Sequence, residues 1–252
     1  MPDAAALPVM LKALRLPTMT SHWKQLQEMA LSKNWTMAEY LASLCEHELA
    51  HRETRRLARH LHESKLLPGK TLHHFDFPAC PEVNANLITQ LAQDSSWVER
   101  AENVLLFGPS GVGKTHLAAA IGHGLIQSGQ RVLHTATTML VQKLQAAKRE
   151  LRLSEALVKM DKYRLLILDD IGYVKKSEME SSVLFELIAH RYESGSLLIT
   201  ANQPFSEWES IFPDSLMTVA AIDRLVHHAT IIEIPGNSYR KTQSMKKKAA
   251  MK

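Results

Sequence analysis

The stretch "LLFGPSGVGKTHLA", Leu105 to Ala118, decides the fold. An apolar run ends in Gly108-Pro109-Ser110-Gly111-Val112-Gly113-Lys114-Thr115, the pattern G-x-x-x-x-G-K-T, and His116 follows in a segment of helical character. A strand that feeds a glycine-rich turn and then a helix is the context in which this pattern holds phosphate. The glycines let backbone N–H groups curl around the phosphates, and the helix turns its positive end to the same charge. A nucleoside triphosphate site is therefore expected, with Gly108 to His116 as its cradle. Lys114 reaches the β- and γ-phosphates, and the Thr115 hydroxyl ligates Mg²⁺.

Further along, "LLILDD" (Leu165–Asp170) is an apolar strand ending in two carboxylates. Asp169 is expected to hold Mg²⁺ through water, and Asp170 to orient the attacking water. Asp170 is one methylene shorter than glutamate, which predicts slow hydrolysis. "LLITAN" (Leu197–Asn202) is a third strand, placed by the inferred sheet order between the other two, so that Asn202 faces the γ-phosphate and its water. Arg224, in the helix before the last strand, is a candidate to act on the nucleotide of a neighbouring copy, as arginine fingers do; a salt bridge to Asp223 is the alternative. Arg240 is placed for nucleotide contact from the C-terminal side or for DNA contact.

The segments "NVLLFG", "RVLHTA", "RLLILDD", "SLLITAN" and "TIIEI" alternate with helical stretches, which predicts an α/β fold: a five-stranded parallel sheet flanked by helices. Residues 1–68 read as a small helical unit in which Thr36 caps the helix "MAEYLASL" and Glu39 completes a capping box. Pro68, Gly69, Pro78 and Pro81 mark a linker, so the expected division is 1–68, a nucleotide-binding domain over 69–238, and a basic tail over 239–252. At 252 residues and 45% hydrophobic content the chain can build a sizeable core. It has no run of roughly 18 apolar residues and no signal-peptide pattern, so a cytoplasmic protein without membrane contact is expected. Cys45 and Cys80 read as free thiols, the thirteen histidines as surface or packing residues, and Trp23, Trp35, Trp97 and Trp208 as core anchors.

The net charge of +4 is unevenly spread: the last fourteen residues carry six basic side chains and no acidic one. Arg52, Arg55, Arg56 and Arg59 recur at i, i+3, i+4 and i+7, so a helix presents all four on one face. Duplex phosphates would relieve their mutual repulsion, and Glu48 and Glu53 are the local alternative. Four phosphate contacts per copy give a salt slope of about −3.6, so one copy binds weakly and several joined copies bind well. No base-reading element is evident, which points to little sequence specificity.

Together, "GPSGVGKTHLAAAIG", "LLILDDIGY", "FELIAHRYESGSLLITANQPFSEW", "AAIDRLVHHATIIEI" and "GNSYR", with the N-terminal "LKALRLPTM" and "RRLARHL", resemble the IstB-type insertion-sequence transposition helper ATPases. These are AAA+ P-loop NTPases similar to the helicase loader DnaC and the initiator DnaA, whose DnaA-like members also carry a second aspartate at the Asp170 position. The resemblance implies ATP and Mg²⁺ as cofactors and a homo-oligomer with ATP at its subunit interfaces. It further implies assembly on duplex DNA, target-site selection and a cognate transposase as partner. A DnaC-like loader acting on single-stranded DNA would share the nucleotide site and stays open; a small-molecule kinase leaves Asn202, Arg224 and the arginine stripe without roles.

Overall fold

The computed structural model describes residues 4–172, 177–210, 215–236 and 238–239. Arg240 and the tail 241–252 lie outside the described residues. The chain forms two compact units that divide between Arg59 and His60.

The N-terminal unit contains α1 (Leu7–Ala13), α2 (Pro17–Ser32) and the first part of α3 (Met37–Ser64). Leu11, Met19, Leu26 and Leu44 form its small core, with Trp23 and Tyr40 packed against them. The expected capping box is present at the start of α3: Glu39 N–H donates to Thr36 Oγ1 at 3.2 Å, and Thr36 N–H donates to Glu39 Oε2 at 2.7 Å. Glu48 is buried because it has donors to satisfy: it accepts from the Thr18 and Met19 amides that open α2 and from Arg52 Nε at 3.0 Å. Those hydrogen bonds and the Arg52 charge outweigh desolvation and leave the Glu48 carboxyl below its ordinary pKa.

The second unit follows as α4 (Ala85–Gln93), α5 (Ser96–Glu99), β1 (Asn103–Phe107), α6 (Lys114–Gln127), β2 (Val132–Ala136) and α7 (Thr137–Arg149). It continues through α8 (Leu153–Val158), β3 (Leu165–Asp169), α9 (Glu178–Arg191), β4 (Ser196–Ala201), α10 (Ser215–Val226) and β5 (Ala229–Glu233). The five expected strands all form, paired in parallel in the order β2-β3-β4-β1-β5. β1 and β4 are buried along their whole length, which explains why they read as continuous apolar runs instead of alternating ones. Leu105, Leu166, Leu197 and Ile199 point to one face, into the core shared with α7, α9 and α10. Ile167, on the opposite face by the two-residue period, packs against Gly122 of α6.

The linker expected over residues 67–81, together with the end of α3 from His60, belongs to this second unit. Glu63 pairs with Arg131 at 2.9 Å, Leu66 fills the space beside Gly122, and the Leu67 and Thr71 carbonyls meet His123 and His116. Two 3-10 turns, Leu72–His74 and Phe77–Ala79, replace the extended linker suggested by the prolines. The unit therefore begins ahead of the boundary expected near Gly69.

Arg191, at the end of α9, is 2% exposed and clamps the amino ends of two strands. Its Nη1 donates to the Tyr163 carbonyl at 3.0 Å, and its Nη2 donates to the Arg164 and Ser196 carbonyls at 2.8 and 3.1 Å. Burial lowers its pKa to about 10, with Asp161 opposing the shift, so it remains charged at neutral pH. Arg191→Ala would leave these buried carbonyls without their donor and is expected to cost about 3 kcal/mol, read as a lower urea midpoint. An unchanged midpoint would show that the clamp contributes nothing.

Candidate nucleotide site

Because all strands are parallel, the loops after β1, β3 and β4 meet at one edge of the sheet. Register aligns them: Phe107 pairs with Ala201, and Leu168 with Ile199. The phosphate loop leaves β1 at Gly108, whose φ of +146° excludes side-chain-bearing residues; a Cβ there would strike the Ile234 carbonyl. Gly113 ends the loop at φ +105°, where a Cβ would come within 2.8 Å of the Phe75 ring. Both conformations leave backbone open to a phosphate chain at the N-terminus of α6, which fits the cradle to a nucleotide.

Lys114 is 5% exposed, so its ammonium needs acceptors. It donates to the Gly108 and Pro109 carbonyls at 2.7 and 2.8 Å and to Asn202 Oδ1 at 2.7 Å. Asn202 Nδ2 donates in turn to Asp170 Oδ1 at 3.2 Å. Thr115 Oγ1 donates to Asp169 Oδ1 at 2.9 Å, placing two hard oxygen donors side by side, as a Mg²⁺ site requires. The structure thus brings Lys114, Thr115, Asp169, Asp170 and Asn202 into one hydrogen-bonded group.

Thr200 and Thr137, absent from the sequence expectations, fix the two aspartates. Thr200 Oγ1 donates to Asp169 Oδ1 at 2.6 Å and accepts the Asp170 amide at 2.9 Å; Thr137 Oγ1 donates to the Asp169 carbonyl at 2.9 Å. The available signal was a single hydroxyl residue inside the otherwise apolar "LLITAN". Asp170 has a φ of +56°, a left-handed conformation uncommon outside glycine, and its amide bond to Thr200 helps hold it there.

A cavity of about 200 Å³ lies over the loop, lined by Ser110 to His116, Asp170 and Asn202. Its other wall comes from the segment read as a linker: Leu67, Lys70, His74, Phe75 and Cys80. Phe75 meets His116 edge to face at 5.2 Å between ring centres. Burial lowers the His116 pKa, and its hydrogen bond to the Thr71 carbonyl opposes that shift. Tyr239 closes a third side, its amide donating to the Gly111 carbonyl at 3.1 Å and its hydroxyl to Asp76 Oδ2 at 3.3 Å.

Arg224 is not among the residues lining this cavity. Its guanidinium lies over the Phe185 ring at 5.3 Å and donates to the Ala220 carbonyl at 2.9 Å, so the alternative pairing with Asp223 is not made among the described residues. The arginine stripe is also less uniform than its spacing implies. Arg52 is tied to Glu48 and to the Arg15 carbonyl at 2.8 Å, and Arg56 pairs with Glu53. Arg55 and Arg59 are exposed.

Residues 9–247 match the family described as IstB-like ATP binding protein. The chain belongs to this family. It is 55% identical over 246 residues to an insertion sequence ATP-binding protein of Sinorhizobium fredii, covering 98% of this chain and 83% of the relative. It is 38% identical over 240 residues to the insertion sequence IS21 ATP-binding protein of Pseudomonas aeruginosa, covering 95% and 90%. Among solved structures, the DnaC helicase loader aligns with a TM-score of 0.53 at 20% identity over 66% of this chain and 97% of that one. AMPPCP-bound DnaA from Aquifex aeolicus aligns at 0.55 and 19% identity over 74% and 56%. These likenesses establish an AAA+ P-loop fold, as the sequence predicts.

Lys114→Ala removes the cation expected to meet the phosphates while leaving the loop glycines in place. It is expected to weaken binding of a fluorescent ATP analogue at least tenfold with an unchanged far-UV circular dichroism spectrum. Wild-type affinity would remove Lys114 from the site.

Proposed function

We propose that this ATPase joins into oligomers through ATP held between neighbouring copies, and that the joined copies grip duplex DNA with little sequence preference, mark a target site and recruit a transposase. ATP binding and hydrolysis follow from the family and from the assembled phosphate-loop group. The observation that carries the finer reading is the composition of the cavity wall, which holds Lys70, Lys114, Asp76, Asp170 and Asn202 but, among the described residues, no arginine. Arg224 of an adjacent copy is the candidate to complete it. Triphosphate, when bound with Mg²⁺, supplies the charge that such an arginine would meet.

Within one chain, the residues divide the work. Lys114 binds the phosphates, Thr115 and Asp169 would hold Mg²⁺, and Asp170 is placed to take the proton of an attacking water that Asn202 helps orient. The insertion-sequence context of the relatives supports a transposase as partner. For DNA, Arg55, Arg56 and Arg59 are the proposed contacts; Arg52, used by the fold, contributes less. Three phosphates per copy correspond to a salt slope of about −2.7 for a single copy, so strong binding requires several copies acting together.

The reading is tested by fluorescence anisotropy on duplex and single-stranded DNA of equal length, with ATP or ADP. Duplex with ATP is expected to bind at least tenfold more tightly than any other combination. A preference for single strands would instead favour a helicase-loader role. Asp170→Asn is expected to retain ATP and lengthen the DNA-bound lifetime, whereas normal turnover by this variant would show that Asp170 is not the base.

A further inference from the structure

At the sheet edge opposite the phosphate loop, three potential ligands converge that the nucleotide chemistry does not use. Glu193 follows the end of α9, and His227 and His228 connect α10 to β5. One ligand atom from each lies within 4.8 Å of the others, and all three side chains are exposed. Their backbones are tied down: the Ser194 and Gly195 amides donate to the Arg191 carbonyl, His227 N–H donates to the Asp223 carbonyl, and the His228 carbonyl accepts from Asn103 at 2.7 Å. Only side-chain rotation is needed to bring the donors to ligating separation.

The outer shell is also in place. The Tyr192 hydroxyl lies 2.8 Å from His227 Nδ1, and the two rings stack at 5.9 Å. At that 2.8 Å separation the phenol oxygen can accept Nδ1–H from His227. In that tautomer Nε2 of His227 carries the free lone pair, the arrangement metal-binding histidines adopt. The His227 and His228 rings are 3.9 Å apart, close enough to serve one ion.

We propose that Glu193, His227 and His228 form a binding site for one divalent transition-metal ion of the Zn²⁺ type. Two imidazole nitrogens and one carboxylate oxygen suit borderline cations better than Mg²⁺ or Ca²⁺, and the exposed position leaves a coordination place for water or for a group from another molecule. The site is separate from the nucleotide site and does not depend on the proposed DNA function.

The test is calorimetric titration of ZnSO₄ into chelator-treated full-length protein without nucleotide. One Zn²⁺ per chain is expected in the micromolar range. The double variant His227→Ala/His228→Ala should weaken this by about a hundredfold, and Glu193→Gln or Tyr192→Phe by about tenfold, while His51→Ala/His62→Ala, at exposed positions away from both sites, should leave it unchanged. Retained ATP-analogue binding in each variant reports an intact fold. A double variant that binds Zn²⁺ like the wild type, or a wild type without one-site binding, overturns the site; unchanged binding by Glu193→Gln overturns the three-ligand assignment.

Discussion

The buried Lys114 ammonium sets the terms for everything around it. A cation at 5% exposure must be surrounded by acceptors: the Gly108 and Pro109 carbonyls of its own loop supply two, and the sheet supplies Asn202 because β4 lies between β3 and β1. That order carries Asn202 to Lys114 and to Asp170, so the end of β4 links the phosphate loop to the second aspartate. Thr200, two residues earlier on the same strand, joins Asp169 to the Asp170 amide. A different strand order would leave the lysine without Asn202 and separate the two aspartates from the phosphate loop.

Much of this was legible in the sequence, for identifiable reasons. Strands buried on both faces need uninterrupted apolar runs, so "NVLLF", "LLILD" and "SLLITA" announced themselves, and the carboxylates Asp169 and Asp170 and the amide Asn202 marked the shared edge. The capping box at Thr36 and Glu39 was equally readable, because its chemistry is local. The wall formed by residues 67–80 was not. Prolines and glycines there indicate a break in regular structure but do not say what the segment packs against, and Phe75 finds His116 only through tertiary contact. Cα spacing likewise placed four arginines on one helical face but could not show that Arg52 is committed to the buried Glu48.

The chain's division of labour follows from these placements. One edge of the second unit holds the phosphate-loop group, whose geometry and family membership support ATP chemistry. The N-terminal unit carries exposed Arg55 and Arg59, each a weak contact for a polyanion alone. In the proposed function, coupling the two through assembly would give nucleotide a physical means of governing DNA affinity, because the number of phosphate contacts would rise with the number of copies that ATP joins.

The proposed interface site is tested most directly by mixing two inactive variants. Lys114→Ala is expected to bind ATP poorly but keeps Arg224, whereas Arg224→Ala is expected to bind ATP but lacks the arginine for its neighbour. If the site is completed between copies, the mixture hydrolyses ATP in the presence of duplex DNA although neither variant does so alone. A mixture that stays as inactive as its components would contradict ATP held at a shared interface with Arg224 supplied in trans.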